Sequence, residues 1–327
     1  MKISAIFLAL AAVSLAVPAP QLDIVTPPKH RRQLDIVTPP KHLRQIDIVT
    51  PPKHRRQLDI VTLPKPRQLN IRIDHIDDKW TQSAQTPYDP PLTNDGHLQA
   101  QHTGALIHTL EQDAASSTQR TEYLVLTSPF LRCVETAEEL CRGFQRQHTK
   151  MHSNLNTEWR VAVEPGLCEV MSENYFAEPV PDSLIQRRIN DITNRTQCAN
   201  MTYDTTYTQV KQELPTYPEN FQDMMARFVG TLDYATSKQI DEISTQADVE
   251  TGVRKVVVMV THGAGVGSLL WATTRQPGAH TVPYCCLTQA QIVARMSQPL
   301  SKFGTTRIPA FQWTVNYRAY SEHLPNL

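Results

Sequence analysis

The chain of 327 residues is 40% hydrophobic and 20% charged, enough apolar material for one sizeable core plus an extra segment. Its formal net charge of zero excludes a generally basic nucleic-acid binder or a highly charged disordered chain.

At the N-terminus Lys2 precedes an apolar run from Ile3 to Ala16, with Ser14, Leu15 and Ala16 as small or apolar residues before a cleavage site. Residues 1–16 read as a signal peptide, too short to span a bilayer. The sequence therefore predicts a secreted protein with no membrane anchor.

Residues 17–67 are Pro-rich and hold a period of twelve: Gln21-LDIVTPPKHRR, Gln33-LDIVTPPKHLR, Gln45-IDIVTPPKHRR and a shortened Gln57-LDIVTLPKPR. Each unit alternates apolar and polar residues, then meets prolines that remove amide donors and end any helix or central strand. No packed core is expected from these units, so the segment reads as a disordered tail. The repeats are basic, which leaves residues 68–327 acidic. They lack the aromatics and binding fold that a nucleic-acid partner would require. Their ends suggest two readings. They are a basic spacer, or a peptide precursor cut after Arg32, Arg44, Arg56 and Arg67 by a kexin-type protease, releasing QLDIVTPPKH-type peptides. His30, His42 and His54, each flanked by prolines, make poor metal ligands, and neither metal nor cofactor is expected.

From residue 68 strands and helices alternate. Thr93 can cap a helix to about Gln112, Tyr123 to Thr127 is a strand, Leu131 to about Gln145 a helix, and Arg160 to Glu164 extended. Residues 171–218 read as a polar, irregular insertion. A helix from Phe221 to Ile243 follows, and Lys255 to Thr261 is apolar enough for a parallel strand buried on both faces. Gly263 opens a further helix, and Ala290–Arg295 and Phe311–Tyr317 are late strands. The pattern is α/β.

Six cysteines allow many pairings. Cys133 and Cys141 share one predicted helix and cannot reach each other, and Cys285 and Cys286 are adjacent, so buried thiols are an open alternative to disulfides. Asn194 and Asn200 begin N-glycosylation triplets.

Three short blocks carry chemistry. In Thr127-Ser128-Pro129-Phe130-Leu131-Arg132 a strand yields to a helix whose first turn holds an arginine beside free amides, a combination suited to an oxyanion. Val260-Thr261-His262-Gly263 puts a histidine at the carboxyl end of a buried strand, where open α/β sheets bind ligands. Glu164-Pro165-Gly166-Leu167-Cys168-Glu169 offers a loop carboxylate as general acid.

Together with Pro91-Leu92-Thr93, Gly96, Gln99, Ala100 and Gly104, these blocks resemble the histidine phosphatase superfamily, also called phosphoglycerate-mutase-like, over nearly all of residues 68–327. Arg72-Ile73-Asp74-His75 through Trp80 resembles the branch holding the phosphatase domains of ubiquitin-associated SH3-containing regulators. The resemblance implies a three-layer α/β/α sandwich. It also implies that Arg72 and Arg132 bind substrate phosphate, that His262 stabilises the phosphoryl group and that Glu169 protonates the leaving oxygen. The ligand would be a phosphorylated small molecule or a phosphoprotein. Such enzymes also use a nucleophilic histidine in an Arg-His-Gly motif after the first strand. Here that stretch reads Arg67-Gln68-Leu69-Asn70-Ile71-Arg72, so the nucleophile is absent; His75 lies six residues beyond the expected place. A fusion or a missed splice at the junction would each account for the loss.

Overall fold

The computed structural model describes residues 10–11, 84–114, 120–153, 155–194, 201–243, 253–276, 282–295 and 311–324. All belong to one of the chain's two units, formed by Met1–Leu15 and Ile73–Leu327. The repeats, the cleavage arginines Arg32, Arg44, Arg56 and Arg67, and also Arg72, His75 and Asn200, lie outside the described residues.

In chain order the elements are β1 (Leu10–Ala11), α1 (Asn94–Ala114), β2 (Arg120–Thr127), α2 (Leu131–Lys150), β3 (Asn156–Val163), α3 (Ser183–Asn194), β4 (Met201–Tyr203), α4 (Phe221–Ile243), β5 (Arg254–Thr261), α5 (Gly263–Thr274), β6 (Leu287–Arg295) and β7 (Phe311–Tyr320). A single 3-10 turn, Pro165–Leu167, follows β3. The main sheet is parallel throughout, in the order β1-β5-β2-β3-β4, and β6 pairs antiparallel with β7 in a separate ribbon.

The period of two along the strands builds the layers. Tyr123, Val125, Val161, Val163, Val256, Val258 and Val260 pack on one face with α1, α2 and α3. Their alternates Leu124, Leu126, Ala162, Val257 and Met259 pack on the other with α4 and α5. This is the three-layer sandwich that the sequence predicts. β5 is apolar from Val256 to Val260, where both its faces are covered.

Two glycines bring α1 and α2 together. A Cβ on Gly104 would lie 2.1 Å from the Leu140 carbonyl oxygen, and one on Gly143 would lie 2.0 Å from that of Gln101. Helix backbones in direct contact leave no room for any side chain at either position. Thr93 caps α1 as expected, its hydroxyl accepting from the Gly96 amide at 3.1 Å.

The expectation of an irregular insertion at 171–218 is corrected. This stretch contains α3 and the short edge strand β4. The apolar positions Leu184, Ile185 and Ile192 are buried at helical spacing, a signal that the surrounding polar residues mask. Asn194, one of the glycosylation candidates, is the exposed last residue of α3. Cys133, Cys168 and Cys285 are buried free thiols, and Cys141 and Cys286 are buried as well. Among the described residues, no helix is long and apolar enough to cross a membrane and no cluster of three metal-ligating side chains occurs.

Candidate functional site

Three parallel strands end side by side. Thr127, the last residue of β2, registers with Val163 of β3 and Val260 of β5, so whatever follows each strand meets at one edge of the sheet. Ser128 to Arg132 follow β2, the Glu164–Glu169 loop follows β3, and His262 follows β5 as the cap of α5.

Arg132, Glu169 and His262, far apart in sequence, converge here. The Arg132 guanidinium donates from Nη2 to His262 Nδ1 at 3.2 Å, and Glu169 Oε2 lies 3.3 Å from the same nitrogen and 3.9 Å from Arg132 Nη2. On the opposite side of the ring, Ser128 Oγ is 2.9 Å and Cys133 Sγ 3.5 Å from Nε2. Phe130 stands edge-on to the imidazole, and the guanidinium lies 4.5 Å over its ring. All these groups are buried: Arg132 is 1% exposed, Glu169 6% and His262 0%.

Burial sets the charge states. It holds the His262 pKa well below the ordinary imidazole value, and the nearby Arg132 and Arg227 cations reinforce this. It raises the Glu169 pKa, partly opposed by Arg132. It pushes the Cys133 thiol up to about 12, which leaves that sulfur protonated and a poor nucleophile at neutral pH.

Arg132 stands out on one count. Its Nε and Nη1 are buried and have no hydrogen-bond partner. A guanidinium cannot shed its proton, so two charged donor nitrogens are buried without an acceptor.

The loops are braced by groups that local sequence gave no means of finding. Arg188 on α3 donates from Nε to the Pro129 carbonyl at 3.0 Å and pairs with Asp89. Asp89 Oδ1 in turn accepts from the Leu131 amide at 2.6 Å, at the start of α2. On the far side, Arg227 of α4 forks onto Glu219 at 2.7 Å and donates from Nη1 to the carbonyls of Gly166 and Cys168, each at 3.0 Å. That fixes the loop carrying Glu169. Glu164, the other carboxylate of that loop, is committed to structure: it accepts from the amides of Gly166 and Val210 and from the Tyr207 hydroxyl, within 2.8 Å.

A buried arginine, a neutral histidine and a carboxyl group thus meet at the carboxyl ends of parallel strands. Residues 75–175 match the family model of the histidine phosphatase superfamily (branch 1). That segment contains Arg132 and Glu169 and stops before His262. Among solved structures, the chain is similar to a phosphoglycerate mutase from Bacillus anthracis str. Sterne, at 14% identity over 72% of this chain and 85% of that one, with a TM-score of 0.33. No curated protein matches the sequence.

Proposed function

We propose that the protein is a secreted phosphate-binding member of the histidine phosphatase type that holds a phosphoryl group without turning it over efficiently. The observation that carries this reading is the buried Arg132 with two unpartnered donor nitrogens beside His262 and Glu169. Phosphate monoesters supply the oxygens such a fork lacks. In the family-like scheme His262 stabilises the bound group and Glu169 protonates the leaving oxygen. The stretch Arg67–Arg72 contains no histidine to take the phosphoryl group, and loss of a covalent nucleophile can cost on the order of 10⁶ in turnover.

Calorimetric titration of the purified chain with inorganic phosphate, paired with p-nitrophenyl phosphate hydrolysis, tests the reading. Saturable binding that His262→Ala weakens, with hydrolysis no faster than in that variant, is the expected result. Absence of binding would remove the phosphate reading, and hydrolysis abolished by His262→Ala would make the protein an enzyme with a substitute nucleophile.

The near-identical repeats favour a second, independent role, release of QLDIVTPPKH-type peptides by a kexin-type protease. Mass spectrometry of secreted material would show those peptides; finding only chain that retains all four repeats would exclude it.

A further inference from the structure

Two arrangements of protons are open to the buried triad Ser128–His262–Glu169. In one, Nδ1 carries the proton and donates to an ionised Glu169, while Nε2 accepts from the Ser128 hydroxyl, as in a serine-nucleophile relay. In the other, Nε2 carries the proton and donates to Ser128 Oγ, which leaves a lone pair on Nδ1. Arg132 favours the second, provided that Nε2–H finds an acceptor, which Ser128 Oγ supplies at 2.9 Å. Its Nη2 points an N–H at Nδ1 from 3.2 Å, and a guanidinium can only donate. A proton on Nδ1 would set two donors against each other inside a fully buried site.

We propose that Ser128 is a positioning residue that holds His262 as its Nε2–H tautomer, so that the Nδ1 lone pair faces Arg132 and the proton of a neutral Glu169. The proposal rests on the phosphate reading only for its consequence. Glu169 Oε2, 3.3 Å from that lone pair, would repel it as a carboxylate and is compatible with it as an acid. Every charged or titratable group around the ring agrees with this assignment. Arg132 from α2 and Arg227 from α4 disfavour an imidazolium, Cys133 of α2 is a neutral thiol beside Nε2, and among the described residues Glu169 is the one carboxyl group in contact. A phosphate placed against Arg132 reverses the balance: a proton from solvent joins Nδ1, the imidazolium donates from Nδ1 to a phosphate oxygen, and Nε2–H continues to donate to Ser128. Ser128 therefore serves both states, and phosphate binding takes up a proton.

The test is long-range ¹H–¹⁵N correlation NMR of the full chain labelled with ¹⁵N-histidine, in which His262→Gln identifies the His262 signals. The expected spectrum without phosphate has a protonated, pyrrole-type Nε2 and a pyridine-type Nδ1. Ser128→Thr preserves it, and Ser128→Ala gives a mixture of tautomers with phosphate affinity lowered about tenfold, the low end for one hydrogen bond to a charged group. A pyrrole-type Nδ1 in the unaltered chain overturns the proposal, and so does an unchanged tautomer in Ser128→Ala. Should Ser128→Ala not fold, the unaltered chain and Ser128→Thr decide. Because the tautomer is read without phosphate, the expected spectrum in a chain that binds none would remove the phosphate reading alone.

Discussion

Replacing Arg132 by methionine separates the needs of binding from those of folding. The methionine keeps most of the apolar stem against Phe130 and removes a cation of which two buried N–H groups lack partners. For a bound phosphate, the two lost charge-assisted bonds are worth about 1.5–3 kcal/mol each. At the lower bound the loss is about 3 kcal/mol, or roughly a hundredfold in the dissociation constant. For the empty protein the sign reverses. Taking an incompletely paired charge out of a buried site relieves a desolvation cost, so urea unfolding should show equal or greater stability. Glu169 loses the Arg132 cation that opposes the upward pull of burial on its pKa, so the change moves it further toward the neutral acid. Calorimetry with inorganic phosphate and urea denaturation of both proteins check the two halves. Unchanged phosphate affinity, or destabilisation by more than about 2 kcal/mol, would refute the assignment of Arg132 as the anion-binding group.

Arg188→Met leaves Asp89 buried beside the start of α2 without its cation and should destabilise the fold by about 3 kcal/mol or more, read by urea denaturation. Gly104→Ala drives a methyl into the Leu140 carbonyl and should cost about 1–3 kcal/mol as α1 and α2 are forced apart, visible as a lowered thermal midpoint. His323, whose Nε2 meets Thr103 Oγ1 at 2.8 Å, has its pKa lowered to about 4, first by burial and then by His102. Between pH 6.5 and 4 the unfolded chain binds a proton there that the folded chain does not, so this contribution is present near neutrality and is lost as pH falls through that window. Denaturation from pH 7 to 4 should show a smaller decline in His323→Gln. Phosphate affinity should strengthen as pH falls from 8 towards 6, because a bound anion favours the imidazolium that burial and the arginines oppose in the empty site; calorimetry across that range would reveal a flat or opposite trend.

Local chemistry made the scaffold legible in the sequence. The apolar run of β5, the threonine before α1 and the glycine after His262 each state their element within a few residues, because strand burial and helix capping depend on near neighbours. The same locality located Arg132, His262 and Glu169, each just beyond a recognisable strand. It also hid α3, whose helical apolar positions are sparse among charged and amide side chains.

The sequence by itself determined the layered α/β order, the tandem repeats, the absence of a histidine between Arg67 and Arg72, and the three candidate side chains. Only the tertiary structure decided that Glu164 is spent on backbone amides while Glu169 faces His262, that Arg188 and Arg227 brace the two loops, and that Ser128 lies behind the imidazole. Apart from the Glu164–Gly166 bond, these are contacts between residues 8 to 134 apart, and their partners carry no mark of one another until burial removes water and donors must find acceptors among whatever the fold brings near.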